Sequence, residues 1–502
     1  MTTIVTNPII HENSSIMFQT KISEKFPIFL EKDEKFGIIS IQLNEAEIIQ
    51  KKIGVLFTID CSQSMSELCE DKKSKMEHAI HTLQRILIEF SNVKDVEIFV
   101  SVISFDDVIY EIFDFEKITN VNLDILIEKI QQIKPNLATN IEIALHSARQ
   151  KIQTYLKENN KDNYKIHHIQ LTDGFITSGE IQPKKLLKII NEKYSNTFVG
   201  FGINHDSDLL ETLSSKKNGD YRFVDKIENS GFVYGEIIHN ILYSTLELPR
   251  IVIENGKLYD WKTNSWKTEI QLPNLPSGIK KEYHIKSICP DEVNIKLYGI
   301  YSNNIKNTEE FIIEFDKIPE LIDEDYNIID SIDLTKYAYR QLTQQLLYEI
   351  KNYKINEKNN KMFTFDNNEI ELSNKIKNLM ENIQHYMKIN DLENDNFMKL
   401  LLDDMYVCHK IFGTEFGKMF ITARQRSQGN QNTYTPRTYI SENKNIQKPL
   451  KLNRSKTICC SNNSSSENFS TCDNSHIFEE FSDNPYATPK IIKLMRNVSS
   501  SY

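Results

Sequence analysis

The residues best suited to chemistry in this sequence are oxygen donors. Asp60, Ser62 and Ser64 alternate in Asp60-Cys61-Ser62-Gln63-Ser64-Met65, directly after the apolar run Gly54-Val-Leu-Phe-Thr-Ile59. Alternate residues of a loop leaving a strand can aim at one point. A carboxylate and two hydroxyls form an all-oxygen set, which suits a hard cation such as Mg²⁺, with Mn²⁺ as the alternative, rather than zinc or copper. Mg²⁺ keeps waters in its octahedral shell, so few protein ligands suffice. A second acid, Asp173, follows another strand-like run, 166–171, in Thr172-Asp173-Gly174. Each residue also has a plainer use. An Asp after a strand commonly sits in a turn, and Ser62 and Ser64 could cap the next helix. Thr139-Asn140 is a helix-opening pair, Asp173-Gly174 is a common turn dipeptide, and Cys61 reads as a small buried side chain.

These residues need a scaffold that ends buried strands in acids. The run 54–60 is apolar apart from Thr58 until its last residue, as expected of a central strand covered on both faces. A helical stripe follows at Met76, Ala79, Ile80, Leu83, Leu87 and Phe90. The pattern then predicts a strand pair at 96–105 and 108–115, helices at 123–133 and 141–156, and a strand at 166–171. A helix is expected at 183–193, with Pro183 in its first turn, then a strand at 197–201. A helix at 207–213 capped by Asp206, a strand at 221–224 and a helix at 232–242 complete the series. Strands alternating with helices predict an α/β fold with a doubly wound, mostly parallel sheet. Such sheets bind ligands beyond the carboxyl ends of their strands, where Asp60 and Asp173 fall.

The joint order resembles the von Willebrand factor A family and its metal-ion-dependent adhesion site. The shared features are Asp60-x-Ser62-x-Ser64, a later Thr139-Asn140 opening a helix, and Thr172-Asp173-Gly174 ending a strand. Met65, Phe198-Val-Gly-Phe-Gly202 and Asp208-Leu-Leu210 are further echoes. The resemblance covers about residues 54–243. It implies a metal held by Asp60, Ser62 and Ser64, with Thr139 a ligand in one conformational state and Asp173 acting largely through water. It also implies a partner protein that presents an Asp or Glu carboxylate to the metal. Departures are Cys61 inside the first motif and Leu137-Ala138-Thr139 where the family often has Gly-Gly-Thr; Ala138 keeps that position small.

Beyond the A-type region, short apolar runs between 251 and 315 predict a small antiparallel sandwich. It resembles the β-rich region following the A domain in some intracellular and inter-alpha-trypsin-inhibitor-like proteins, a match carried by general pattern and Trp261-Lys-Thr-Asn264. Helical intervals return at 337–353, 370–389 and 396–424, and the Ser/Asn-rich stretch 461–475 is too polar to bury a core. The expected organisation is an N-terminal segment with one strand (1–50), an A domain (51–245), a sandwich-like domain (246–330), a helical region (331–426) and a disordered polar tail (427–502).

Composition narrows the function. A net charge of −10 argues against a nucleic-acid binder. Seven scattered cysteines without a CxxC pair, no basic N-terminal leader and no long apolar run predict a cytoplasmic protein with no membrane span. No Gly-x-x-x-x-Gly-Lys-Ser/Thr, His-Glu-x-x-His or Gly-x-Ser-x-Gly motif is present. The expectation is a non-enzymatic, Mg²⁺-dependent protein-binding module. The alternatives are an intracellular assembly scaffold that uses the A domain without metal, and a metal-dependent phosphohydrolase with Asp60 as nucleophile. His167-His168, inside a strand, reads as structural.

Overall fold

The structure is a computed structural model that describes residues 14–19, 30–45, 52–69, 71–158, 165–202, 205–225, 229–301, 311–315, 333–353, 367–414, 417–433 and 484–499. In chain order, β1 (Ser15–Phe18) and β2 (Lys35–Gln42) precede the α/β region. That region runs β3 (Lys52–Asp60), α1 (Lys75–Asn92), β4 (Glu97–Phe105), β5 (Ile109–Lys117), α2 (Leu123–Gln131), α3 (Ile141–Glu158) and β6 (Lys165–Thr172). It continues with α4 (Pro183–Leu186), β7 (Ser195–Phe201), α5 (Ser207–Leu213), β8 (Gly219–Val224) and α6 (Ser230–Leu242). The six strands are ordered β5-β4-β3-β6-β7-β8, parallel except for the antiparallel edge strand β5. This is the expected doubly wound sheet. β3 is central because it has two faces to bury: Val55, Phe57 and Ile59 pack with Leu83 and Ile86 of α1, while Leu56 packs with Ala148 and Ile152 of α3.

Two polar side chains inside this sheet find partners across strands. His168 places Nε2 2.9 Å from Thr58 Oγ1 and Nδ1 3.1 Å from Asn196 Oδ1, joining β6 to both neighbours. Burial pushes its pKa down to about 4, so it is neutral near pH 7. His167 faces Ser195 on β7. Both histidines therefore serve the sheet.

The antiparallel sandwich follows. Its strands are β9 (Ser244–Glu254), β10 (Lys257–Asp260), β11 (Ser265–Lys267), β12 (Glu269–Gln271), β13 (Leu275–Pro276), β14 (Lys280–Ser287), β15 (Asn294–Tyr301) and β16 (Phe311–Phe315). One sheet has the order β1-β2-β14-β10-β11 and the other β12-β9-β15-β16, with β13 pairing β9. The N-terminal strands thus belong to this sandwich, β2 pairing with all of β14. The run 267–272, which the sequence pattern reads as one short strand, is divided at Thr268. β11 and β12 lie in different sheets, and between them Thr268 O accepts a hydrogen bond from Ile253 N. Trp266 packs against Tyr259, and Trp261 lies over Gly429, so both tryptophans pack internally.

The helical region comprises α7 (Thr335–Asn352), α8 (Asn367–Ile389), α9 (Asn396–Ile411) and α10 (Gly417–Asn430). The expected stripe of α7 is core: Leu346 and Ile350 pack with Ile376, Ile383 and Leu401. Three expectations need correction. The helix over 183–193 stops at Leu186, because Leu186, Ile189 and Ile190 are buried by tight turns that bring the chain back to β7. The helix over 396–424 is two helices, broken where Gly413 takes a φ of +77°. Residues 427–433 are buried, and α10 extends to Asn430, so the body does not end at 426.

The tail also needs correction in its last part. α11 (Pro489–Ser499) is an amphipathic helix with Pro489 in its first turn and Ile491, Met495 and Val498 buried. It lies against α6, where Cβ atoms at Gly231 and Gly235 would sit 2.2 Å from Ser499 and 2.6 Å from Met495. Arg85 Nε of α1 donates to Asn497 O at 3.0 Å. The chain leaves at Thr433 and returns beside it, Asn484 Nδ2 donating to Thr433 O at 2.7 Å. Of the tail expected to be disordered, residues 434–483 and 500–502 lie outside the described residues.

α11 should therefore support the α/β region. Burying an Ile, a Met and a Val contributes roughly 2 kcal/mol each. Deleting 484–502, or replacing Gly235→Leu in the full chain, should lower the melting temperature by several degrees in a thermal scan. Unchanged melting in both variants would show that the helix adds nothing.

Candidate metal centre

β3 and β6 are neighbours in the parallel sheet, and the acids ending or following them lie at its carboxyl edge. Asp60 and Asp173 are both fully buried, which is costly for carboxylates unless donors surround them. Asp60 Oδ1 accepts from Ser62 N at 2.8 Å, and Oδ2 accepts from Thr172 Oγ1 at 2.5 Å. Ser64 Oγ donates to Asp173 Oδ1 at 2.7 Å and lies 3.0 Å from Ser62 Oγ. Thr139 joins the same group beside Gly174, where a side-chain carbon on the glycine would be 3.5 Å from both Ser64 Oγ and Thr139 Oγ1. The residues Asp60, Ser62, Ser64, Thr139 and Asp173 thus meet at one edge of the sheet.

The plainer uses of the hydroxyls are filled by other residues. α1 is capped by Ser74 and Glu77 in a reciprocal capping box, and Ser62, at the head of the 3₁₀ turn 63–66, makes no side-chain cap. α3 is opened by Asn140, whose Oδ1 accepts from Ile143 N at 3.2 Å. The backbone of Thr139 is fixed separately: its N–H donates to Thr177 Oγ1 and its carbonyl accepts from Thr177 N. Ser62, Ser64 and Thr139 are therefore left free of capping duty.

Burial raises the Asp60 pKa to about 7, with nearby Asp173 adding to the rise and hydrogen bonds from Thr172 and Ser62 opposing it. Burial also pushes the Cys61 thiol well up, to about 12, so Cys61 is a neutral core side chain. Two functional candidates escape sequence reasoning. Thr172 is the donor that holds Asp60. Lys75 Nζ lies 2.8 Å from Asp173 Oδ2 and 2.6 Å from Glu67 Oε2. Burial works against the Lys75 charge, but Asp173 and Glu67 outweigh it and hold the pKa above its ordinary value. Its signal in the sequence is a lysine in the first turn of a helix, the end where the dipole disfavours a cation.

The donor set fits a hard divalent cation: two buried acids and three hydroxyls not used as helix caps offer only oxygen. Among the described residues, no group of three or more His, Cys, Asp or Glu side chains is placed to hold an ion. The hydroxyls are thus needed to complete any site here.

Comparison with known proteins agrees with this architecture. Residues 55–235 match the von Willebrand factor type A domain, and the chain is a protein containing that domain. No curated protein sequence matches it. Similar solved structures include a von Willebrand factor type A protein from Catenulispora acidiphila, at 12% identity, covering 79% of this chain and 92% of that one, with a TM-score of 0.47. A paralog of ArnB from Sulfolobus acidocaldarius is 12% identical, covering 83% and 98%, with a TM-score of 0.44. Proximal thread matrix protein 1 from the mussel byssus, solved with a zinc-occupied adhesion-site motif, is 17% identical, covering 42% and 50%, with a TM-score of 0.32.

The raised pKa of Asp60 gives a signed prediction for metal-free protein. A folded-state pKa of about 7, above the ordinary 3.8, stabilises the fold at low pH and loses that contribution as pH rises through 7. Asp60→Asn removes the loss. In chelator, denaturant unfolding should show the variant gaining on wild type between pH 5 and pH 8. A gap that stays constant across that range would contradict the assignment.

Proposed function

We propose that this chain is a non-enzymatic, metal-dependent protein-binding module. In this reading Ser62, Ser64 and Thr139, with Asp60 and Asp173, hold Mg²⁺ or Mn²⁺ for a partner that presents Asp or Glu. The observation that carries it is the release of three hydroxyls from capping, gathered beside two buried acids at the ligand-binding edge of the sheet. The ion, when bound, supplies the concentrated positive charge that a partner carboxylate needs.

The rim supports protein binding. Leu68, Val108, Leu137, Phe175 and Ile181 are exposed apolar side chains on loops at this edge. The loops are tied together: Asn140 N donates to Asp106 O, Thr177 N to Thr139 O, and Asn136 N to Cys61 O. A polar centre within apolar side chains offers a partner both burial and a charged anchor.

The phosphohydrolase alternative is disfavoured by Asp60 itself. Both of its oxygens are engaged, and the residue is fully buried, so neither oxygen is presented as a nucleophile. One observation favours an assembly scaffold that works without metal: Lys75 already provides a cation to Asp173.

Titration with millimolar Mg²⁺ should raise the melting temperature over that in chelator, because an ion that binds only the native state stabilises it. Asp173→Ala should abolish the rise. Capture of partners from the organism's own extract should be lost in chelator and in Ser62→Ala/Ser64→Ala, with the variant still folded by circular dichroism. Thr139→Ala should weaken capture. A partner retained equally in chelator would favour the metal-free scaffold.

A further inference from the structure

Lys75 is an unusual residue for the first turn of an 18-residue helix, where the dipole favours anions. Its side chain is only 13% exposed, and it is anchored on two sides. The backbone N–H donates to Glu67 O at 3.0 Å, tying the start of α1 to the end of the 3₁₀ turn that carries Ser64. The ammonium spans Asp173 Oδ2 at 2.8 Å and Glu67 Oε2 at 2.6 Å. The two carboxylates differ in their access to water: the Asp173 side chain is fully buried, whereas that of Glu67 is 55% exposed.

Each oxygen of Asp173 is consequently engaged from within the chain. Ser64 occupies Oδ1 and Lys75 occupies Oδ2. A divalent ion brought to Ser62, Ser64 and Asp173 would enter beside a fixed ammonium. Like charges a few ångströms apart repel strongly where water is scarce. Glu67 offers the ammonium a second, solvated partner, so Lys75 can yield Asp173 without becoming unpaired.

Resting on the metal reading above, we propose that Lys75 is a tethered cation that competes with the divalent ion for Asp173 and sets the concentration at which the centre loads. Metal-free protein then keeps the fully buried Asp173 paired with a cation, and the loops hold their arrangement while empty of metal. Loading exchanges one cation for another and moves Lys75 toward Glu67. Lys75 is a residue that tunes the affinity of the centre, not a ligand.

The test is isothermal titration of the full chain with Mg²⁺ and Mn²⁺, comparing wild type with Lys75→Met, Lys75→Gln and Lys75→Arg. Both neutral variants should bind about ten-fold tighter or more, the scale of changes in groups that touch metal ligands. Lys75→Arg should stay near wild type. In chelator, Lys75→Met should melt lower than wild type, because Asp173 loses its counter-charge, and Mg²⁺ should give it the larger rise. The neutral variants guard against one misfolded substitution. If wild type binds the ions and both neutral variants bind no tighter, the competition is overturned while the metal reading stands. If neither wild type nor any variant binds, both fall together.

Discussion

Burying two carboxylates at the ends of adjacent parallel strands is the constraint on which this structure turns. Asp60 and Asp173 have no exposed surface, and an unpaired buried charge costs far more than one ordinary hydrogen bond returns. The surrounding chain is arranged to meet that cost. Ser62 N and Thr172 Oγ1 serve Asp60; Ser64 Oγ and Lys75 Nζ serve Asp173. These assignments explain the local backbone. The 3₁₀ turn 63–66 brings Ser64 back over the sheet edge, and the start of α1 is displaced to Ser74. A helix beginning directly at Ser62 would spend the hydroxyls on capping and leave Asp173 without a neutral donor.

The same balance of buried charge joins the three regions of the chain. The first half of α10 buries Met419, Phe420, Ile421 and Ala423, and its second half is polar yet buried, with several of its side chains paired to neighbouring elements. Arg424 is fully buried against Asp404 at 2.6 Å, with Asp403 at 2.9 Å. Arg426 reaches Asp220 of β8, and Gln425 reaches the Trp261 carbonyl in the sandwich. At its carboxyl end, Lys281 of β14 donates to Asn430 O and Gln431 O, and Arg340 of α7 donates to Gln428 O. Helix C-termini present unpaired carbonyls and negative dipole charge, so buried cations are accommodated there. Burial still lowers the Lys281 pKa to about 8. The α/β region, the sandwich and the helices are therefore joined by matched polar groups as well as by apolar contacts such as Phe223 with Phe420, and the apolar face of α11 adds a separate clamp over α1 and α6.

What the sequence reveals follows from which forces act locally. β3 is readable because both of its faces are buried, making nearly every residue apolar up to Asp60. The oxygen motifs are readable because type and spacing are preserved even when Cys61 and Ala138 depart from the usual pattern. Pairings between distant segments are not readable. Nothing in the 35–42 pattern announces that β2 will lie against β14, on the far side of the whole α/β region. Lys75 is hidden for the same reason, since its partner Asp173 is 98 residues away. α11 is obscured differently: average polarity across the tail masks Ile491, Met495 and Val498, though their spacing and Pro489 carry the helical signal. The split between β11 and β12 depends on which sheet each side of Thr268 joins, a tertiary choice that alternation in one strand cannot encode.

Charge at the centre also limits what can bind there. Asp173 and Glu67 share one ammonium, Lys75, and Asp60 lies beside Asp173, so the metal-free centre sets three carboxyl groups against one fixed cation. An approaching carboxylate would be repelled and would have to displace Lys75 from an acid that is itself buried. The exposed apolar rim alone can attract a partner but cannot select an acidic one. In the metal reading proposed above, a divalent cation would cancel the excess and let the same hydroxyls and carboxylates orient toward positive charge. In the proposed reading, acid selectivity and metal dependence are thus one electrostatic requirement. In the same reading, a partner lacking an acidic anchor would use the rim with Lys75 still paired to Asp173, whereas an acidic partner would need that pair to open.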